Sequence, residues 1–153
     1  MESPVHFSES QQKLKSLYHY HHKQWWCHKN MFRHFMWSNA IMNALALILV
    51  ACGMVVGSVF QNSIMVTVLS ATGVIVKGWN EYKKYSSKME MSRFAYSTHE
   101  KLLIELRGYA NGLPMEDMEC FLTRIKTMEE TISDLAPLIR DSFVRKYDKS
   151  NNA

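Results

Sequence analysis

Charge is missing from the middle of this chain. Between Ala40 and Val76 there is no Asp, Glu, Lys, Arg or His. A run of that length without an ionisable side chain argues against a helical pair buried inside a water-soluble bundle. Cysteine is also scarce. Cys27, Cys52 and Cys120 are odd in number and far apart, which excludes a disulfide framework and leaves three reduced thiols. No glycine-rich phosphate loop, Rossmann glycine pattern, nucleophile elbow or zinc motif occurs, and no paired carboxylates lie in the apolar stretch. No catalytic constellation and no cofactor are therefore expected. The first apolar run starts near residue 40, too far from Met1 for a cleaved secretory signal.

What is present is apolar and concentrated. The mean hydropathy of −0.21 over 153 residues hides this, because the apolar side chains cluster in one block. From Ala40 to Phe60 the only strongly polar side chain is Asn43, and a second run goes from Ile64 to Val76. A bilayer core needs ~20 helical residues. Residues 38–60 meet that length. Residues 62–79 give about 18 residues, or roughly 27 Å, with Lys77 near the end where it can snorkel. Trp37 and Trp79 flank the open ends, followed by Tyr82 and Tyr85, as in an aromatic belt.

The expectation is an all-α membrane protein. It has an N-terminal amphipathic helix over 1–37, a transmembrane helical hairpin over 38–79, a cytoplasmic helical pair over 80–147 and a disordered tail over 148–153. Lys13, Lys15, Lys23, Lys29 and Arg33 precede the hairpin, and Lys77, Lys83, Lys84, Lys88 and Arg93 follow it. The connecting segment 57–63 carries no such charge, so both termini are expected in the cytoplasm. The net charge of +4 belongs to this pattern. It faces anionic lipid, and nucleic acid is not an expected partner.

Each hairpin helix has a small or weakly polar face. On the first it holds Asn39, Asn43, Ala46, Val50, Gly53 and Gly57. On the second it holds Ser63, Thr67, Ser70 and Lys77, with Gly73 beside them. Such faces permit close approach within the hairpin or between copies, or they line a polar path.

Residues 8–37 are expected to be helical, with Ser8 or Ser10 as cap. Six of the seven histidines fall in or beside this segment, together with Trp25, Trp26 and Cys27. Their spacing matches no zinc pattern, so an interfacial helix is expected rather than a metal site. One long helix is expected from Trp79 to about Tyr109, ended by Asn111-Gly112-Leu113-Pro114. A returning helix over 114–147 carries the stripe Met118, Phe121, Ile125, Met128, Ile132, Leu135, Ile139, with Glu116, Asp117 and Glu119 in its first turn. Pro137 should kink or interrupt it. The stripe is expected to pack on the preceding helix, on a second copy, or on a cytoplasmic partner.

This layout resembles the SLATT family of two-membrane-helix proteins. The residues that carry the likeness are Trp25-Trp26 to Trp37, the hairpin 38–79, Trp79-Asn80-Glu81-Tyr82 into Phe94-Ala95-Tyr96, and Thr127-Met128-Glu129-Glu130-Thr131-Ile132 with Ala136-Pro137 and Phe143-Val144. The resemblance implies a homo-oligomeric membrane effector of pore-forming or channel type. Its viral branch implies a virion or host-membrane component. The alternative is a non-conducting membrane scaffold that recruits a cytoplasmic partner.

Overall fold

The computed structural model describes residues 4–60, 63–110 and 118–151. Every regular element among them is an α-helix: α1 Pro4–Phe60, α2 Ser63–Lys83, α3 Tyr85–Ala110, α4 Met118–Leu135 and α5 Asp141–Asn151. The chain divides into two units. One joins residues 1–32 to 90–153, and the other is residues 33–89.

α1 is one helix where the sequence suggested two, 8–37 and 38–60. No glycine or proline lies between Pro4 and Gly53, so nothing in the backbone stops it. Its start moves from the expected Ser8 or Ser10 to Pro4, a residue suited to a first helical turn. α1 is long and apolar enough to cross a membrane; α2, interrupted by Thr67, Ser70, Thr72 and Lys77, falls short of that measure.

The expected continuous helix from Trp79 to Tyr109 is broken at Lys84, whose φ is 52°. The Lys84 N–H still donates to the Glu81 carbonyl at 3.0 Å, and the Lys88 N–H to the Lys84 carbonyl at 3.0 Å. A left-handed lysine costs about 1 kcal/mol or more, and no glycine marks the site. The constraint comes from packing on either side: Asn80 is hydrogen-bonded to α1, and the Tyr85 ring lies 6.3 Å from that of Phe35.

Pro137 interrupts the last expected helix. The final α4 bond is from the Ala136 N–H to the Ile132 carbonyl, and α5 restarts beyond Arg140 with Asp141 in its first turn. Proline lacks the N–H and crowds the residue before it, so the helix divides there. The expected tail 148–153 is corrected in part, because residues 148–151 belong to α5. Lys23 Nζ donates to Asp148 Oδ1 at 2.8 Å and Asn151 Nδ2 to the Tyr147 carbonyl at 3.2 Å. The turn 111–114, Glu116, Asp117 and the Met118 side chain lie outside the described residues.

In the unit of residues 1–32 and 90–153, the core is Leu102, Leu106, Phe121 and Ile125, with Leu14, Leu17, Tyr18, Tyr109 and Met128 against it. Phe121 stacks on Tyr109 at 4.6 Å between centroids. The stripe on α4 is thus answered by α3 and α1 of the same chain. Ile132 is also buried, Ile139 half-buried, and Leu135 exposed. The buried face of α3 holds Ser92, Ala95, His99, Leu102, Leu103 and Leu106.

In the unit of residues 33–89, small side chains meet and large apolar ones point outward. Leu47 is 70% exposed, Ile64 74% and Val74 70%, with Met54, Val59, Val68 and Ile75 also exposed. An outer surface this apolar marks a face that contacts lipid or another protein.

Candidate functional site

Two arrangements carry the chemistry, one in each unit. The first is built from α1 and α2. A Cβ placed on Gly73 would lie 3.1 Å from Val50 Cγ2 and 3.3 Å from the Ala46 carbonyl oxygen. One on Gly57 would lie 2.9 Å from Val66 Cγ2, and one on Gly53 3.4 Å from Ser70 Oγ. A side chain at position 57 would have to displace the end of Val66, and one at position 73 would press on both Val50 and the Ala46 carbonyl, so glycine at these positions favours the close approach. As the position on α1 rises from 46 to 57, its partner on α2 falls from 73 to 66, so the two runs pack antiparallel.

Asn80 closes the end of this contact. It is 4% exposed, and its Nδ2 donates to Asn39 Oδ1 at 2.9 Å and to Asn43 Oδ1 at 2.9 Å. Asn43 Nδ2 approaches Asn39 Oδ1 at 3.4 Å. One amide group thus serves two acceptors four residues apart on the facing helix. Sequence reading found Asn39 and Asn43 but not their donor. The available signal was a lone asparagine directly after Trp79, at the level where the first run begins.

Of the residues expected to pack or to line a path, Asn39, Asn43, Gly53, Gly57, Ser70 and Gly73 are engaged between α1 and α2. Ser63, Thr67 and Lys77 are exposed on α2, and Thr67 Oγ1 donates back to the Ser63 carbonyl at 2.9 Å. Replacing Asn80 by leucine is expected to cost about 1–2 kcal/mol, because the two acceptors lose their donor in an apolar setting. Thermal unfolding of the variant in detergent, followed by circular dichroism, checks this. An unchanged midpoint would show that the asparagines contribute nothing to the pairing.

The second arrangement is a histidine cluster. His21 and His28 are seven residues apart on α1, two turns, and so share a face. His99 on α3 meets both. Its ring is stacked on His28 at 5.8 Å and tilted against His21 at 5.3 Å. All three are buried. His21 Nδ1 and His99 Nδ1 are 3.1 Å apart, so one of them carries the proton. His21 Nε2 faces Glu129 Oε1 on α4 at 3.5 Å. A proton on His21 Nε2, toward the carboxylate, leaves its Nδ1 as acceptor for His99 Nδ1–H. That assignment serves the Nδ1 contact and turns the Nε2–H toward the carboxylate, which it does not reach in a hydrogen bond, whereas the other sets lone pair against carboxylate.

Burial pulls His21 and His28 down to about 4. It pulls His99 to about 3, helped by the fields of His21 and His28. All three are uncharged at neutral pH. Burial moves Glu129 the other way, upward. The neighbouring His22 turns to a different face, where its Nδ1 lies 3.0 Å from the Tyr147 hydroxyl. Cys27 is buried and its thiol is raised to about 11 by desolvation, so it is unreactive.

A cavity of about 300 Å³ adjoins the cluster, bounded by Tyr20, Gln24, His28, His99 and Glu129 and by a wall of Ile132, Ser133 and the apolar residues 136–139. The two nitrogens of His21 face different partners, His99 Nδ1 and Glu129 Oε1. Among the described residues no group of three or more His, Cys, Asp or Glu side chains is arranged to hold a metal ion. The sequence marked the histidine-rich segment but could not join it to His99, 71 positions beyond His28. From sequence an interfacial helix was expected here. The structure packs it on α3, α4 and α5.

Comparison with family models, with curated proteins and with solved structures finds no match to this chain.

Proposed function

We propose that the chain is an integral membrane protein anchored by a helical hairpin over 38–60 and 62–79, with both termini cytoplasmic, and that it serves as a non-conducting scaffold displaying the helical unit of residues 1–32 and 90–153. The observation that carries this reading is the unit of residues 33–89. Its small and polar groups meet between α1 and α2 while its large apolar side chains point outward. Lipid is the solvent in which that inversion is stable. Lysine and arginine on both sides of residues 40–76, and none between, support the orientation. Exposed Trp37 and Trp79, each within two residues of the Asn39–Asn80 contact, support a headgroup boundary there. The resemblance to two-membrane-helix proteins agrees with this layout.

A second reading, a homo-oligomeric pore or channel, is favoured by one observation: Ser63, Thr67 and Lys77 stay exposed along one side of α2. It ranks second because the other six candidate path residues are engaged within the chain.

The test is topology followed by conductance. After alkaline carbonate extraction the protein is expected in the membrane pellet. An impermeant maleimide applied from the cytoplasmic side should label Cys120, and a cysteine introduced at position 61 should react only from the opposite side. Labelling of both positions from the same side would mean a single crossing and overturn the hairpin, and labelling of Cys120 only from the non-cytoplasmic side would overturn the orientation. No ion flux is expected in planar bilayers. A conductance that Thr67→Leu abolishes would replace the scaffold by the pore.

A further inference from the structure

The cavity beside the histidine cluster has an unusual charge balance. Glu129 is a third exposed and lies at its edge, and no lysine or arginine lines it. The ionic neighbour of Glu129 is His21, which burial keeps neutral at pH 7. Among the described residues no Lys or Arg pairs with Glu129. A carboxylate is thus left without a basic side chain as countercharge beside a hollow lined by Tyr20, two imidazoles and aliphatic side chains, with Gln24 and Ser133 as its uncharged polar groups. Tyr20 senses it, since its hydroxyl is raised first by burial and then by the field of Glu129. His28, 3% exposed, lines the same hollow and has a buried Nδ1 without a hydrogen-bond partner.

These features select the charge of a ligand. An anion meets a carboxylate and no cation. A neutral apolar molecule leaves Glu129 and the His28 nitrogen unanswered. A protonated amine with a short apolar tail satisfies both ends: its ammonium meets Glu129 and the faces of Tyr20 and the imidazoles, and its tail meets Ile132, Pro137 and Ile139. We infer that this cavity is a binding site for a small organic ammonium ion, with Glu129 as countercharge and Tyr20 as the aromatic wall. The ammonium comes either from a free amine or from an amine-bearing lipid headgroup.

The experiment uses the full chain in a maltoside detergent at pH 7.5, with n-butylammonium chloride as probe and n-butanol and sodium chloride as controls, read by calorimetric titration. Saturable binding of n-butylammonium is expected, in the roughly millimolar range for so small a molecule. n-Butanol is expected to bind about tenfold more weakly or worse, and Glu129→Gln should remove that preference. Dihexanoyl phosphatidylethanolamine, titrated in parallel, separates the sources. Tighter binding than n-butylammonium assigns the site to a headgroup, and weaker binding assigns it to a free amine. Equal affinity for butanol and butylammonium, absence of saturation, or a preference that survives Glu129→Gln would overturn the proposal. Should Glu129→Gln fail to fold, Tyr20→Leu decides: butylammonium affinity is expected to drop, and an unchanged affinity overturns the assignment.

Discussion

Lowering the pH from 7 to 4.5 is expected to destabilise the unit of residues 1–32 and 90–153 by about 2–3 kcal/mol for each histidine of the cluster that remains neutral in the fold. The folded-state values of His21 and His28 lie at about 4 and that of His99 at about 3, each below the ordinary 6.5. Between those limits the unfolded chain binds more protons than the folded one, so stability rises with pH. The contribution is complete above about pH 6.5 and is lost as the pH falls toward 4. Glu129 acts in the opposite sense. Its raised value favours the fold at low pH and loses that contribution as the carboxyl ionises, so it offsets a part of the loss. Urea unfolding in detergent at a series of pH values measures the balance. The steep region should lie between pH 6.5 and 4.5, and His99→Leu should flatten it. A midpoint that stays level across that window would show the imidazoles to be solvated and the cluster open.

The second large effect is expected at Phe121. It is fully buried, stacks on Tyr109 at 4.6 Å and packs with Leu102, Leu106 and Ile125. Phe121→Ala removes a ring from a closed site and is expected to cost about 3–5 kcal/mol. Against a total stability of about 5–15 kcal/mol, that brings the unit close to unfolding. Leu138→Ala is the internal control. Leu138 is 94% exposed, so its truncation should cost roughly 0.5 kcal/mol or less. The comparison also separates two uses of the α4 stripe. A side chain packed within one chain gives a loss that does not depend on protein concentration. A loss that shrinks as concentration rises would place Phe121 between copies.

The stripe itself was legible. Steps of three and four from Met118 to Ile139 marked an apolar face, of which Phe121, Ile125 and Ile132 are buried, Met128 and Ile139 half-buried and Leu135 exposed. What could not be read was the partner, since an apolar face is answered equally well by α3, by a second copy or by another protein. The division at Pro137 was legible because proline acts through its own ring and missing N–H. The division at Lys84 was not, because lysine has no local preference for a left-handed backbone and the contacts that impose it come from α1.

The histidines show the same limit in the candidate site. Composition placed six of them in one segment, but periodicity along α1 says only that His21 and His28 share a face. That His99 sits between them, that Glu129 borders them, and that all three imidazoles are held neutral follow from packing three helices together. Asn80 is a parallel case. Its neighbours in sequence suggest a headgroup boundary, and only the approach of α1 turns it into the donor for Asn39 and Asn43.

By itself, then, the sequence determined the helical class, the charge-free stretch from Ala40 to Val76 and the small faces that let α1 and α2 approach. These depend on local backbone preference, side-chain size and hydropathy, which are properties of residues along one segment. The tertiary structure alone decided the asparagine contact, the break at Lys84 and the meeting of His21, His28 and His99 beside Glu129. Each of these depends on side chains 37 to 108 positions apart being brought into contact, and no local periodicity encodes that.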